Sequence, residues 1–192
     1  HRWWNPLSKG ERLVDFCFQT DDLRGDTDKL RAAGVAIDDP VPWSRKRPDG
    51  YELKWMLSLA TGSHRGVAPF LIEDVTPRIE RVPQQFHHQN GVSGIAKVTV
   101  AASELKSIEK WYHALLGVSG QNVVDNELGA EGLVFHVGPH VLEFLSPHDA
   151  ASPLIGWLRQ CGPSPYSTVL KGDGIQGKPL DIRLTHGAHF IV

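Results

Sequence analysis

The sequence predicts an α+β fold of tandem βαβββ modules, whose curved sheets form cups, with a partial third module at the end. The first observation is an internal repeat: a strand, a turn rich in side-chain oxygens and a helix closed by glycine occur twice. Aligning Leu23 with Leu105 also places Asp22 on Glu104. The second observation is that three stretches with strand character follow each helix. A repeat of this length determines the architecture before any single element is considered.

The first module is expected over residues 1–85. An apolar stretch at residues 13–18 is typical of a strand, and the helix after it ends at Gly34, a residue that favours helix termination. The buried stripe of this helix is Leu23, Thr27, Leu30 and Ala33. A proline and a glycine in residues 47–50 predict a tight turn. The three later strands are expected at residues 35–37, 51–59 and 67–73.

The second module is expected over residues 86–149, after a linker at residues 76–94 that lacks periodicity. It begins with the strand around Val98, and Ser103 is the expected N-cap of its helix. The apolar stripe of that helix is Leu105, Ile108, Trp111, Tyr112 and Leu115. The three later strands are expected at residues 121–124, 132–137 and 140–145.

The remaining residues, 150–192, are expected to form a shortened third module without the regular helix. A short amphipathic helix is predicted at residues 153–159. Three strands are predicted at residues 166–170, 180–185 and 188–192. The last two are expected to form a hairpin through a turn at His186 and Gly187.

The composition excludes some classes of function. The formal net charge of -2 gives no basic surface for nucleic acid, and no apolar run approaches the roughly 20 residues that span a bilayer. Two cysteines, Cys17 and Cys161, do not make a disulfide framework. Because no signal peptide is visible, we expect a cytoplasmic protein. The chain starts abruptly at His1, so we expect the natural protein to begin further upstream.

Five segments, residues 19–23, 47–50, 69–73, 90–95 and 185–188, together resemble the glyoxalase-like domain proteins of the vicinal oxygen chelate superfamily. The resemblance covers nearly the whole chain. It implies paired modules that curl into a cup and hold a small-molecule ligand, and we expect a homo-oligomer such as a dimer. Members of this type commonly begin with one more module, which carries a histidine in its first strand. This chain has no such segment.

The resemblance also implies where a metal would bind, because metal-using members place ligands on the first and fourth strands of each module. Glu143 holds the fourth-strand position of the second module, and Asp15 holds a first-strand position. His136 has the face parity to join them, which gives Glu143, His136 and Asp15 as candidate ligands for Zn, Ni, Fe or Mn. Glu73 ends the fourth strand of the first module. Lys97 stands at the remaining first-strand position and cannot ligate a metal while protonated, so the alternative is a structural Lys97–Glu143 pair without metal.

Other polar residues have weaker patterns. A histidine in the C-terminal strands can be a ligand, a general base or a structural residue, and the candidates are His140, His186 and His189. The adjacent His87 and His88 point different ways in an extended chain and are interpreted as polar linker residues. The basic run at residues 45–47 is interpreted as a solvated loop or an anion site. Three aromatic residues are expected either to line a pocket or to pack in the core: Trp43, Trp55 and Phe70.

The sequence contains no phosphate-binding glycine loop, Cys-x-x-Cys motif or nucleophile elbow. The resemblance therefore carries the functional hypothesis, which is binding of a small oxygenated molecule with metal-assisted lyase, isomerase or dioxygenase chemistry. The alternatives are a non-catalytic binding module of the bleomycin-resistance type and a structural or assembly domain. The sequence does not decide whether the protein is an enzyme.

Overall fold

The computed structural model describes residues 3–82, 88–172 and 177–192. A short helix, α1 (Trp4–Ser8), precedes two series of one strand, one helix and three strands. The first series is β1 (Cys17–Gln19), α2 (Leu23–Ala33), β2 (Val41–Lys46), β3 (Glu52–Ser58) and β4 (Phe70–Asp74). Helix α3 (Arg78–Arg81) leads to the second series, which is β5 (Val92–Ala101), α4 (Leu105–Leu116), β6 (Gln121–Asp125), β7 (Ala130–Val137) and β8 (His140–Pro147). The chain ends with α5 (Pro153–Cys161), β9 (Ser164–Gly172) and β10 (His189–Ile191).

The strands form two open, mixed sheets, which confirms the predicted α+β class. The first has the order β1-β4-β3-β2, and the second has the order β10-β9-β5-β8-β7-β6. In each series the first strand lies parallel to the fourth, β1 with β4 and β5 with β8. The tail repeats this relation, since β9 and β10 are also parallel. Antiparallel pairing of β9 with β5 joins the tail to the second sheet as a partial module.

The helix ends confirm the repeat found in the sequence. Asp22 and Glu104, which the repeat aligns, are the N-cap residues of α2 and α4, and their carboxylates accept backbone N–H groups of the first turn. Gly34 and Gly117 end the same helices with positive φ, which glycine adopts without steric cost. The prediction of Ser103 as N-cap was wrong by one residue, because the longer Glu104 side chain reaches two N–H groups.

The two series share a continuous apolar interior. Helices α2 and α4 contact each other between the sheets, and Phe18 of β1 packs against the core clusters of both series. The Tyr112 hydroxyl of α4 donates a 2.7 Å hydrogen bond to the carbonyl of Val67, which lies in the first series. A third cluster packs α5 on the far face of the second sheet through Leu154, Ala101 and Leu145.

Two strand predictions were wrong. At residues 35–37 there is only a single bridge, between Ile37 and Ala60, and the second strand of the module is β2. The predicted hairpin of the tail is reduced to one antiparallel bridge, between Pro179 and Ile191, because residues 182–187 fold into successive turns in which the Gly187 N–H bonds to the Ile182 carbonyl. β10 instead adds in parallel to β9.

Both cysteines are free thiols. Within residues 3–82, 88–172 and 177–192, no helix has the length and apolar character needed to cross a membrane.

Candidate functional site

A cavity of about 900 Å³ lies between the edge strand β1 of the first sheet and the α4-side face of the second sheet. The second sheet contributes Val98 and Leu142, which are directly paired on β5 and β8. Thr168 of β9 and Phe190 of β10 continue the same row. The wall is therefore mostly apolar and is built by strands from both series and the tail.

The opposite wall of the cavity carries charged groups. The Asp15 carboxylate accepts a hydrogen bond from the Trp3 indole at 3.0 Å. The Arg81 guanidinium forms a two-fold ion pair with Asp74, whose side chain is only 7% exposed. Arg78, one turn earlier in α3, also lines the cavity, and it is exposed. Asp15 and Arg81 are thus engaged by the protein itself, whereas Arg78 lies at the solvent side.

Cys17 belongs to the same wall and keeps an exposed edge. Burial of its sulfur raises the pKa of the thiol, the nearby Asp15 and Asp74 carboxylates raise it further, and Arg81 opposes them. The thiolate is the reactive form of cysteine. Cys17 is therefore protonated at neutral pH, and the cavity has no activated sulfur nucleophile at this position.

Glu143 does not line the cavity. Successive side chains of a strand alternate between faces, so Glu143 points to the face opposite Leu142. Its side chain is 6% exposed, and its Oε2 accepts hydrogen bonds from Lys97 Nζ at 2.9 Å and from Thr99 Oγ1 at 2.7 Å. The structural pair that the sequence offered as an alternative to a metal is present.

The three candidate metal ligands lie in different surroundings. Asp15 lines the cavity, Glu143 is buried on the other face of the second sheet, and His136 is an exposed residue of β7. His136 shares the face of Glu143, because it pairs with Val141 two residues along β8. Among the described residues there is no group of three or more His, Cys, Asp or Glu side chains placed to hold a metal ion.

The residues present do not fit the divalent metal that the resemblance implies. A metal ion needs several ligands that converge on one point, and the chain does not bring Asp15, His136 and Glu143 together. The Glu143 carboxylate is instead compensated by the ammonium group of Lys97. Glu73 is also engaged, since its Oε2 accepts the Leu23 N–H at the start of α2.

The other candidate histidines have separate roles. His140 lines the cavity, and its Nδ1 lies 2.7 Å from the Ile95 carbonyl oxygen. His186 lies in the predicted turn and has a positive φ. Its Nδ1 lies 3.0 Å from Glu11 Oε2. His189 packs against aromatic rings on the Glu143 face of the second sheet. His88 is exposed, and His87 lies outside the described residues.

The structure also shows the surroundings of the aromatic and basic residues that the sequence analysis considered. Phe70 contacts Trp3 edge to face at a centroid distance of 6.0 Å, and Trp55 is partly buried opposite the exposed Trp43. The basic run begins in β2, and its Arg47 forms ion pairs with Asp49 and Glu80. None of these three aromatic residues lines the cavity.

The sequence interpretation missed Asp74, Arg78 and Arg81, because it ended the preceding strand at Glu73 and treated residues 76–94 as a linker. A signal was present: Pro77 precedes a charged stretch in which Arg78 and Arg81 are three residues apart. Proline before such a stretch is typical of a helix start, and residues three apart share one helix face.

Comparison with known proteins gives a family model and structural neighbours. A model described as glyoxalase-like domain matches residues 1–116. No curated protein matches the chain. The crystal structure of a hypothetical protein from Staphylococcus aureus is similar, with 16% identity and a TM-score of 0.61 over 92% of this chain. The chain covers 65% of that structure.

A second similar structure is methylmalonyl-CoA epimerase from Mycobacterium tuberculosis, with 15% identity and a TM-score of 0.46. The match covers 55% of this chain and 90% of the epimerase. At such identities the Staphylococcus aureus structure supports the fold, and neither structure assigns a ligand to this chain.

Proposed function

This chain belongs to the glyoxalase-like domain family, and we propose that it binds a small molecule with an apolar body and an oxygen-bearing, anionic end. The binding site is the cavity between β1 and the second sheet. The observation that carries the proposal is the cavity itself, because its volume of about 900 Å³ falls within the usual range for ligand sites and its wall is mostly apolar.

The exposed Arg78 favours an anionic end, although the carboxylates of Asp15 and Asp21 also line the cavity. Asp15 is held by Trp3, and Arg81 is held by Asp74. Within the described part of the chain, Arg78 has no carboxylate partner among the ion pairs, which leaves its guanidinium for ligand oxygens. Arginine recognises carboxylate-like groups through two parallel N–H donors. The apolar body of the ligand would lie toward Val98 and Leu142.

The proposal is a binding function that does not depend on a metal. Metal-assisted lyase, isomerase or dioxygenase chemistry would need ligands that converge near the cavity, and of the three candidates only Asp15 reaches it. A non-catalytic binding module, one of the alternatives offered by the sequence, agrees better with this arrangement.

Filling the cavity tests the proposal. The fluorescent probes anilinonaphthalene sulfonate, which is anionic, and N-phenylnaphthylamine, which is neutral, share an apolar body of suitable size. We expect Val98→Phe to weaken binding of both probes about tenfold or more, because the larger ring occupies the apolar wall. The matched control is Val124→Phe on β6, a residue that is 61% exposed and outside the cavity.

Arg78→Gln separates the two ends of the site. It should weaken binding of the anionic probe several-fold and leave binding of the neutral probe unchanged, because only the anionic probe contacts the guanidinium. Equal binding of both probes to wild type, Val98→Phe and Val124→Phe would overturn the cavity as the binding site. A thermal melt of each variant verifies that the fold is kept.

A further inference from the structure

We propose that Lys97 takes the place of a divalent cation at Glu143, so that the second sheet carries a cation site closed by the chain's own ammonium group. This inference concerns the face of the sheet opposite the cavity and does not depend on the proposed ligand.

The first step is burial. Glu143 as a whole is 4% exposed. A carboxylate removed from water to this extent needs a compensating charge and hydrogen bonds. Lys97 and Thr99 supply both to the same oxygen, Oε2, at 2.9 and 2.7 Å.

The second step is register. Thr99 is directly opposite Glu143 across the parallel β5–β8 pair, and Lys97 lies two residues earlier on β5. Residues two apart on a strand share a face. Strand pairing therefore places Lys97 on the face of Glu143, and the ammonium reaches the carboxylate along the sheet surface.

The third step concerns the N–H donors of Lys97 that do not bond to Glu143. A lysine ammonium has three N–H donors, and the described contacts of Lys97 use one of them, on Glu143. The Lys97 side chain is 32% exposed. The group is thus a fixed positive charge, anchored on a buried carboxylate and open on its outer side, which is the arrangement of a bound cation.

The fourth step is that the described residues do not form an alternative metal site around Glu143. Thr99 pairs with Ser167 on β9, and Ser167 pairs with His189 on β10. This polar row runs across four strands, and the described residues do not place three metal-ligating groups around one point. Among the described residues, Lys97 therefore supplies the cation that compensates Glu143, and no set of metal ligands surrounds this carboxylate.

Removal and replacement of the ammonium test the inference. Lys97→Ala leaves the buried carboxylate without a counter-charge, and we expect its melting temperature to fall by about 10 °C. Butylammonium or Mn²⁺ in the millimolar range should restore part of the loss, because either cation can enter the vacated space. Neither wild type nor Lys97→Ala/Glu143→Gln should be stabilised by these cations. In wild type Lys97 already occupies the site, and in the double variant there is no carboxylate charge to compensate.

Lys97→Met/Glu143→Gln gives a second measurement if Lys97→Ala does not fold: it should fold and melt within a few degrees of wild type, because it removes both charges together. Two results would overturn the inference. One is stoichiometric binding of Mn²⁺, Ni²⁺ or Zn²⁺ by wild type that Glu143→Gln abolishes. The other is a Lys97→Ala variant as stable as wild type and indifferent to both added cations.

Discussion

At the residue scale, His189 is a histidine whose protonation equilibrium is changed by burial. Its imidazole lies 4.8 Å from the Tyr166 ring and 5.7 Å from the Trp157 ring, centroid to centroid. Burial lowers the pKa of His189 below its usual 6.5. The folded state therefore disfavours the protonated form relative to the unfolded chain.

The sign of the pH dependence follows. Above about pH 7, His189 is neutral in both states and its contribution to stability is complete. As the pH falls through 6.5, the unfolded chain takes up the proton first, so stability is lost until the folded-state pKa is passed. We expect His189→Phe, which keeps the aromatic contacts, to lose less stability than wild type in urea unfolding between pH 7 and pH 5. The control is His148→Gln at an exposed histidine; a wild-type slope in His189→Phe would contradict the prediction.

Individual residues also show what the sequence can and cannot predict about the site. The family resemblance identified Lys97 and Glu143 as the first- and fourth-strand positions of the second module, and their pairing was one of two stated alternatives. The sequence assigned His186 to a turn but did not predict that His189 packs among aromatic rings, because those contacts depend on how the tail packs. Arg78 was missed since its importance arises only when α3 meets the cavity.

At the element scale, strand pairing leaves one glycine without room for a side chain. Gly132 on β7 is opposite Leu145 on β8, and a Cβ built on it would overlap the Phe144 carbonyl oxygen. We expect Gly132→Ala to cost about 3 kcal/mol, because the backbones of two paired strands must separate. Chemical denaturation measures the loss.

Gly156 in α5 is the matched control for the same chemical change. Nothing lies within 4 Å of a Cβ built there, so Gly156→Ala should stabilise the protein by about 0.5–1 kcal/mol through the higher helix propensity of alanine. Equal effects of the two substitutions would show that close approach at Gly132 does not govern its cost.

The elements also differ in how far local sequence specifies them. Both regular helices were predicted with their terminal glycines and apolar stripes, since helix signals are local, although the N-cap of α4 was placed one residue too early. The tail was predicted in outline only: β9 forms where expected, whereas most of the alternating residues 180–185 form turns. β10 depends on a parallel partner more than 15 residues away, and no local pattern identifies such a pairing.

At the scale of the whole molecule, the internal repeat accounts for both sheets and for the way the tail joins the second. Parallel pairing of first and fourth strands occurs in β1–β4, β5–β8 and β9–β10. The expected homo-oligomer stays a prediction. Because α2 contacts α4 and Phe18 packs against both core clusters, we expect the two series to unfold as one cooperative unit.

The Tyr112 hydroxyl tests this cooperativity. The ring is fully buried on α4, and its hydroxyl donates to the Val67 carbonyl of the first series. Burial raises the pKa of Tyr112 well above 10, so the hydroxyl stays protonated and able to donate. Tyr112→Phe leaves a buried carbonyl without its donor and should cost about 1–2 kcal/mol.

If the two series unfold together, this loss appears equally in the slowest-exchanging amides of β3 and of β8, as measured by native-state hydrogen exchange, because a globally unfolding protein lowers protection everywhere. Tyr51→Phe is the control, since Tyr51 is 41% exposed and lies outside the core clusters; it should change neither set of amides. A loss of protection confined to β8 would instead mean that the first series keeps its own stability, and that the Val67 contact joins two units that unfold separately.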